Sequence, residues 1–256
     1  MARLLVIAVV VVLGLSQPRL ASAGIDVWTG NGPAGGGGIV RSFAIDPTRP
    51  SIVYAAISGS GVFKSADGGA TWTAVNSGLA NVFVRAIAID PATPTTVYAG
   101  TEQGVFKTTD GGGRWTDFNL GLDNLNVQAL AIGPVTPAIL YAGTFVGGVF
   151  KTTNGGGSWT AVNSGLGDAN VTSLAIEPTT PRTVYAGLDV LSTGIFGVFK
   201  TTDGGTNWTA VNMGVVAADR ITALAIDPAT PNTVYAGAAN FGSGGVFKTI
   251  DGGMNW

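Results

Sequence analysis

The chain has 256 residues, with 13 basic and 15 acidic side chains, 40 glycines, 12 prolines and neither histidine nor cysteine. This length suits one domain, or two small ones, with a substantial hydrophobic core. The missing cysteine and histidine exclude disulfides, thiolate chemistry, Ser-His-Asp catalysis and imidazole metal ligands, so we expect no metal and no cofactor. A net charge of −2 provides no basic surface for nucleic acid.

The first 23 residues have the pattern of a secretory signal peptide. Arg3 precedes an apolar run from Leu4 to Leu15, and Ala21-Ser22-Ala23 is a small-x-small cleavage pattern. The run is too short to cross a membrane, which takes about 20 apolar residues. We expect cleavage after Ala23 and a secreted or periplasmic protein without a membrane span; the alternative is an uncleaved anchor.

The rest of the chain repeats one sequence unit five times. A segment of the pattern Ser/Thr-x-Asp/Asn-Gly-Gly-x-x-Trp recurs with its tryptophans spaced by 43, 44, 49 and 48 residues. A tyrosine in a β-branched run precedes each segment at spacings of 44, 43, 44 and 50 residues. Because two columns keep the same period, the repeat is not a chance pattern. The recurring pairs are Asp67 and Trp72, Asp110 and Trp115, Asn154 and Trp159, Asp203 and Trp208, and Asp251 and Trp256.

Each unit divides into four short β segments. In the second unit, alternating residues 84–89 precede a proline-punctuated turn, and residues 96–99, 104–108 and 115–118 follow as further short segments. Four short strands repeated at this spacing predict an all-β fold, a β-propeller of four-stranded antiparallel blades. The five predicted blades cover approximately residues 39–80, 81–124, 125–168, 169–217 and 218–256.

The recurring segment resembles the Asp-box, or bacterial neuraminidase repeat, over residues 39–256. In such a turn the carboxylate accepts backbone hydrogen bonds, glycine supplies a positive φ and the tryptophan packs against the hairpin. Asn154 retains the side-chain oxygen that an Asx turn needs. The resemblance implies that these turns are structural and remote from the ligand site.

Three further columns repeat in register and are expected to serve the scaffold. The lysines after Val-Phe suggest a solvated strand position, the tyrosines belong to the second strand, and the acids before each proline suggest turn caps. Residues that nearly every blade repeats are expected to fold the blade rather than to recognise a ligand. These columns are Lys64, Lys107, Lys151, Lys200 and Lys248; Tyr54, Tyr98, Tyr141, Tyr185 and Tyr235; and Asp46, Asp90, Glu177 and Asp227.

The fifth unit lacks its outermost strand. Residues 25–29 contain the Trp-Thr start of the outer strands, as at Trp72-Thr73, so we hypothesise that this N-terminal strand completes the last blade and closes a five-bladed ring. The alternative is a fragment of a larger propeller.

The segments that vary between repeats are the loops after each second strand and the links between blades. Blade connectivity places them on the face opposite the Asp-boxes, where variable loops on a rigid scaffold are suited to binding. Arg41 and Arg85 share a register at the start of neighbouring inner strands and could bind a carboxylate or an anionic sugar. The alternative is that these are ordinary solvated residues. The candidate ligand-binding residues are Arg41, Arg85, Glu102, Asp123, Phe145, Asp189, Phe196, Arg220 and Phe241.

The Asp-box pattern also resembles sialidases, xyloglucan-type glycosidases, photosystem II assembly factors and sortilin-type receptor domains. Sialidase chemistry implies an arginine triad, a tyrosine nucleophile with a glutamate partner, and an acidic proton donor. This chain has two aligned arginines, two glutamates and no tyrosine outside the repeated column. We therefore predict an exported, non-catalytic binding or scaffold module for a protein or a glycan; the alternative is a glycoside hydrolase or a fragment of one.

Overall fold

A computed structural model describes residues 32, 38–189, 196–215, 220–239 and 244–256 of the chain. Within these residues the chain forms antiparallel β-sheets, four of them four-stranded and the fifth three-stranded. No helix in the described ranges is long and apolar enough to cross a membrane. The predicted signal peptide, residues 1–23, and the proposed closing strand, residues 25–29, lie outside the described residues.

The strands follow one another in chain order within each sheet. The first sheet contains β1 (Ile39–Ile45), β2 (Val53–Ser58), β3 (Gly61–Ser65) and β4 (Thr73–Ala74). The second contains β5 (Val84–Ile89), β6 (Val97–Thr101), β7 (Gly104–Thr108) and β8 (Thr116–Asp117). The third contains β9 (Val127–Ile132), β10 (Leu140–Thr144), β11 (Gly148–Thr152) and β12 (Thr160–Ala161). The fourth contains β13 (Asn170–Ile176), β14 (Val184–Asp189), β15 (Gly197–Thr201) and β16 (Thr209–Ala210). The fifth contains β17 (Arg220–Ile226), β18 (Val234–Ala239) and β19 (Gly244–Thr249).

These sheets are the blades of a five-bladed β-propeller, and the predicted fold class is confirmed. Consecutive blades lie face to face, and a separate hydrophobic core fills each of the four boundaries between them. Strands β6 and β10 are buried at every residue, so both of their faces are covered by protein. A small sheet with two apolar faces is not stable alone, and each blade therefore depends on its neighbours.

A hydrogen-bonded turn follows the third strand of each blade, and we call it the Asp–Trp turn. In the second blade Thr108 Oγ1 donates to Asp110 Oδ1 at 2.6 Å, and the Arg114 amide donates to the same oxygen at 3.0 Å. In the third blade the Asn154 Oδ1 atom accepts the equivalent two bonds at 2.8 and 2.9 Å. The turn therefore forms around a side-chain oxygen that accepts two hydrogen bonds, and an asparagine can supply this oxygen without the negative charge of an aspartate. The five turns comprise residues 65–72, 108–115, 152–159, 201–208 and 249–256.

The tryptophan of each later turn enters the core of the preceding blade. Trp115 is 1% exposed; its Nε1 donates to the Val75 carbonyl at 2.7 Å and its amide donates to the Ser77 carbonyl at 2.8 Å. At the next boundary, Gly121 has a φ of +78°, and a Cβ there would lie 2.3 Å from the Trp159 carbonyl oxygen. Glycine is required because the link and the following turn are in backbone contact.

A lysine binds each following turn from the other side, and at three of the four boundaries a tyrosine binds the same carbonyl. Tyr54 Oη and Lys64 Nζ both donate to the Gly111 carbonyl oxygen, at 3.0 and 2.9 Å. The Lys64 ammonium also lies 5.3 Å from the centroid of the Tyr54 ring, where a cation–π interaction is favourable. Four of the five lysines are therefore not simply solvated as expected from the sequence, because each ammonium donates to a carbonyl of the next blade, whereas Lys248 in the fifth blade is exposed. The equivalent lysine bonds join Lys107 to Gly155, Lys151 to Gly204 and Lys200 to Gly252.

The blade boundaries change the ionisation of these side chains. Burial lowers the pKa of Lys107 and of Lys151. Burial, assisted by the charge of Asp90, raises the pKa of Tyr98 to about 12, and burial likewise raises the pKa of Tyr141 to about 12. Tyr98 and Tyr141 stay neutral at physiological pH, and the Tyr98 hydroxyl donates a hydrogen bond to the Gly155 carbonyl, while the lysines supply the positive charge.

We expect Trp159→Ala to cost about 3–5 kcal/mol of unfolding free energy, because it removes a buried ring and a hydrogen bond between blades. Trp72→Ala is the matched control, since the Trp72 Nε1 donates only within its own turn, to the Gly69 carbonyl at 3.1 Å. Its cost should be clearly smaller. Urea unfolding followed by circular dichroism measures both values, and equal losses would contradict the role of the tryptophan at the blade boundary.

Acid should destabilise the fold between about pH 4 and pH 2. Hydrogen bonds from the Thr71 side chain and amide hold the pKa of Asp67 at about 2, and bonds from the Asn207 amide and side chain hold that of Asp203 at about 2. The usual value is about 3.9, so the unfolded chain binds these protons first as the pH falls. The stabilisation is therefore present above the unfolded pKa and is lost as the pH falls through the folded one.

Asp203→Asn should reduce this acid sensitivity at some cost in stability at neutral pH, because an amide keeps an oxygen for the Asn207 backbone amide but loses the second acceptor that the Asn207 side chain uses. Asp123→Asn is the control, since the Asp123 side chain is exposed and makes no hydrogen bond among the described residues. Thermal unfolding at a series of pH values measures the effect. A parallel pH profile for wild type and Asp203→Asn would refute the explanation.

Candidate functional site

The start of each inner strand lies on the face opposite the Asp–Trp turns. Strand β1 pairs antiparallel with β2, and Val40 lies opposite Ile57 at the end of β2. The inner-strand starts therefore lie beside the loops that follow each second strand. This arrangement agrees with the expectation that variable loops and inner-strand starts form one surface.

A β-bulge near the start of each inner strand aims one side chain toward the axis. The ladder shifts register between Val40 and Ser42, which leaves Arg41 without a partner, and it shifts in the same way around Arg85. A bulge redirects the side chain of the extra residue and increases the local twist. The equivalent residues in the other three blades are Gln128, Thr172 and Thr222.

These bulged residues line a cavity of about 410 Å³ at the mouth of the axial channel, which we call the axial cavity. Thr172 Oγ1 donates to the Gly187 carbonyl at 2.9 Å, and Thr222 Oγ1 donates to Gly237 at 3.2 Å, so both hydroxyls are satisfied by the protein. The guanidinium groups are therefore the main donors available to a ligand. The polar lining residues are Arg41, Arg85, Gln128, Thr172, Arg220 and Thr222.

The axial cavity holds three arginines and two neighbouring carboxylates. Arg85 forms an ion pair with Glu102, and Arg220 Nε lies 3.2 Å from Asp189 Oδ2. Arg41 has no carboxylate partner among the described residues, and burial together with the charges of Arg85 and Arg220 lowers its pKa. An arginine stays protonated in proteins, so the cluster carries an excess of one positive charge. The arrangement can bind an anion, and a carboxylate matches the planar guanidinium.

The other predicted binding residues lie away from the axial cavity. Asp123 is exposed, Phe145 is 41% exposed after β10, and Phe196 is half-buried before β15. Val146, beside Phe145, has a φ of 55°, a strained conformation for a β-branched residue. Phe241 lies outside the described residues. The structure thus brings together Arg41, Arg85 and Arg220 with Glu102 and Asp189, whereas Asp123, Phe145 and Phe196 do not line the axial cavity.

The sequence analysis missed both ion pairs and the contribution of Arg220 to the arginine cluster. Arg220 belongs to the fifth blade and Asp189 to the fourth, so no pattern within one repeat relates them. Asn170 lies opposite Asp189 in the β13–β14 ladder and donates to it at 3.3 Å. The available signal was the position of Glu102 and Asp189 at the ends of second strands, beside the inner-strand starts.

A larger cavity of about 630 Å³ lies on the face of the Asp–Trp turns between the fourth and fifth blades. Its lining includes Glu177, Tyr185 and Lys200, which belong to the repeated columns and already serve the blade boundary. The axial cavity is lined by residues that vary between repeats, so it is the better candidate site. Within the described ranges no cluster of acidic side chains could hold a metal ion.

Neither a protein-family model nor a curated protein sequence matches the chain. Among solved structures it is similar to an ancestral GH74 enzyme, with 25% identity and a TM-score of 0.73 over 92% of this chain and 32% of that one. It is also similar to the GH74 enzyme of Niastella koreensis, with 22% identity and a TM-score of 0.69 over 85% of this chain and 37% of that one. The chain thus spans about a third of the length of these enzymes.

A structure of YCF48 bound to D1 peptide is a third similar fold, with 16% identity and a TM-score of 0.55 over 86% of this chain and 66% of that one. The blades and these likenesses define the class of the protein as a β-propeller. That class includes the GH74 enzymes and the peptide-bound YCF48, so the fold alone does not assign an activity.

Glu102→Gln should increase the affinity of the axial cavity for anions, because it releases Arg85 and adds one positive charge. Its effect on stability should stay within about 1 kcal/mol, since both members of the ion pair are partly exposed. Titration with inorganic sulfate, followed by NMR of the inner-strand amides, measures the affinity. Asp123→Asn makes the same charge change elsewhere, and an equal gain in that variant would mean that net charge alone governs binding.

Proposed function

We propose that this protein is an exported, non-catalytic binding module of the Asp-box type, which recognises a carboxylate-bearing protein or glycan at the axial cavity. The observation that carries the proposal is Arg41, an exposed cation that lines the axial cavity, has no carboxylate partner among the described residues and lies beside two further arginines. The hydrogen bonds of the five Asp–Trp turns support the Asp-box relationship. The N-terminal signal pattern supports export.

The known binding role of a similar fold supports a protein ligand. YCF48 binds D1 peptide in a solved complex, and the extracellular domain of BT4673 from B. thetaiotaomicron shares the fold with a TM-score of 0.62. Arginine side chains are typical anchors of protein interfaces.

A glycoside hydrolase is the second candidate, favoured by the likeness to the ancestral GH74 enzyme. Glycosidases use two carboxyl groups that flank the scissile bond. At the axial cavity, Glu102 and Asp189 are each paired with an arginine of the cavity, so neither carboxyl group is free to flank a scissile bond. The binding proposal is therefore the better supported of the two.

Arg41→Gln should weaken the binding of carboxylate-bearing probes by roughly tenfold to a hundredfold, since a charge-assisted hydrogen bond contributes about 1.5–3 kcal/mol. The probes are an array of sialylated and uronic acid glycans with their neutral counterparts, and a set of acidic peptides with their amide counterparts. The matched control is Arg114→Gln, which removes an exposed arginine from an Asp–Trp turn on the opposite face.

Three outcomes would contradict the proposal. Equal binding of charged and neutral probes would mean that the carboxylate is not recognised. Equal losses of affinity in Arg41→Gln and Arg114→Gln would mean that the ligand does not bind at the axial cavity. Turnover of a fluorogenic sialoside or β-glucoside that disappears in Glu102→Gln or Asp189→Asn would favour the glycosidase.

A further inference from the structure

The third Asp–Trp turn differs from the other four in the side chain that forms it. It has Asn154 where the other turns have an aspartate, and the residue that follows is glycine in all five turns. An asparagine followed by glycine is especially prone to deamidation, because glycine has no Cβ to shield its amide nitrogen from the asparagine side chain. The third turn is thus the one turn of the five with an uncharged amide that this reaction can consume.

The reaction has two steps and needs only water. The Gly155 amide nitrogen attacks the side-chain carbon Cγ of Asn154, a new C–N bond closes a five-membered succinimide ring, the nitrogen loses its proton, and the side-chain amide leaves as ammonia. Water then opens the ring. Opening at the side-chain carbonyl restores the ordinary peptide bond and leaves aspartate, whereas opening at the backbone carbonyl gives isoaspartate, with one extra methylene in the main chain.

The closed turn holds both reacting groups in other bonds. Asn154 Oδ1 accepts from Thr152 Oγ1 at 2.8 Å and from the Ser158 amide at 2.9 Å, and Asn154 Nδ2 donates to Ser158 Oγ at 3.1 Å. The Gly155 amide, which is the nucleophile of the first step, donates to the Ala138 carbonyl at 2.9 Å. The succinimide ring can therefore close only while the turn is locally open.

The second blade keeps this turn closed. Tyr98 Oη and Lys107 Nζ both donate to the Gly155 carbonyl oxygen, each at 3.1 Å. Trp159, at the end of the turn, is 4% exposed, and its Nε1 donates to the Phe118 carbonyl of the second blade at 2.8 Å. Opening the turn at Gly155 therefore breaks part of the boundary between the second and third blades.

The aspartate product fits the closed turn. In the first blade, Asp67 Oδ1 accepts from the Thr71 amide at 2.8 Å and Asp67 Oδ2 accepts from the Thr71 hydroxyl at 2.6 Å. Ser158 occupies the position of Thr71, so its hydroxyl can change from acceptor to donor once the amide becomes a carboxylate. Charge-assisted hydrogen bonds are stronger than neutral ones, so the product turn should be at least as stable as the original. Isoaspartate instead displaces Gly155 from its partners in the second blade.

We propose that Asn154 is a deamidation site controlled by opening of the boundary between the second and third blades, and that its aspartate product completes a set of five carboxylate turns. The modification adds one negative charge on the face opposite the axial cavity. The charge of the third turn then depends on the age of the protein and on how often this boundary opens. The proposal is independent of ligand binding at the axial cavity, because neither Asn154 nor Gly155 lines that cavity.

Incubation of the protein expressed from the full sequence, in mildly alkaline buffer, followed by peptide mapping with mass spectrometry, measures the reaction at each asparagine. The peptide that contains Asn154 should become heavier by one mass unit as its amide becomes an acid. The rate at Asn154 should rise by more than about tenfold in urea, because unfolding frees both reacting groups. Asn31, the other asparagine followed by glycine, serves as the internal reference for buffer and temperature.

The decisive variant is Tyr98→Phe, which removes one hydrogen bond that holds the turn closed. It should accelerate deamidation of Asn154 by roughly twofold to tenfold. Tyr185→Phe is the matched control, since it removes the same kind of bond, to the Gly252 carbonyl, at another boundary and should leave the rate at Asn154 unchanged. Thermal unfolding identifies a variant that fails to fold, and Lys107→Met, which removes the other bond to Gly155, then takes the place of Tyr98→Phe.

Three outcomes overturn the proposal. The first is an Asn154 that keeps its amide in native wild type and in Tyr98→Phe during an incubation that converts the unfolded protein. The second is an equal rate at Asn154 in the native and the unfolded protein, and the third is an equal effect of Tyr98→Phe and Tyr185→Phe. Asn154→Asp represents the product and should unfold at or above the wild-type temperature; a lower temperature would refute the fit of the product.

Discussion

The contact between one blade and the next determines most of this structure. The tryptophan of each later Asp–Trp turn enters the core of the preceding blade, and a lysine of that blade, joined at three of the four boundaries by a tyrosine, binds the turn from the other side. Each boundary combines apolar burial with hydrogen bonds that only a correctly placed turn can make, so it sets both the spacing and the orientation of the blades. Stability is then approximately a sum over blades and their boundaries, as in other repeat proteins.

This arrangement explains why so few charged residues are available for function. The lysine column, which a sequence would leave in solvent, is used within the blade boundaries because a backbone carbonyl replaces water around the ammonium. The Asp–Trp carboxylates are likewise occupied by their own turns. The arginines near the axis are different, because they vary between repeats and share too few carboxylates to be neutralised. Arg41 and Arg85 lie at β-bulges that direct them into one shared cavity, so a change of sequence at these positions changes the lining of that cavity.

The outer faces of the first and fifth blades carry side chains of the same kind as the blade boundaries. Phe43 and Val246 are exposed on these two faces among the described residues, and their chemistry is that of the interior and not of an ordinary surface. The axial cavity is lined by positions at which the repeats differ. The open faces of the terminal blades consist of positions at which the repeats are the same.

The amino-acid sequence by itself determined the repeat, its β structure and the propeller class, because tight turns and alternating strands are local and recur at a fixed spacing. It also identified Arg41 and Arg85 as one register, since equivalent positions in consecutive repeats can be aligned directly. Only the tertiary structure decided that Arg220 joins them, that Glu102 and Asp189 hold two of the three arginines, and that the lysines bind the next blade. These contacts connect side chains of different blades or strands, and their existence depends on the curvature of the arc and on bulges that re-aim single residues. The periodicity of the sequence predicts neither the curvature of the arc nor the side chains that the bulges redirect.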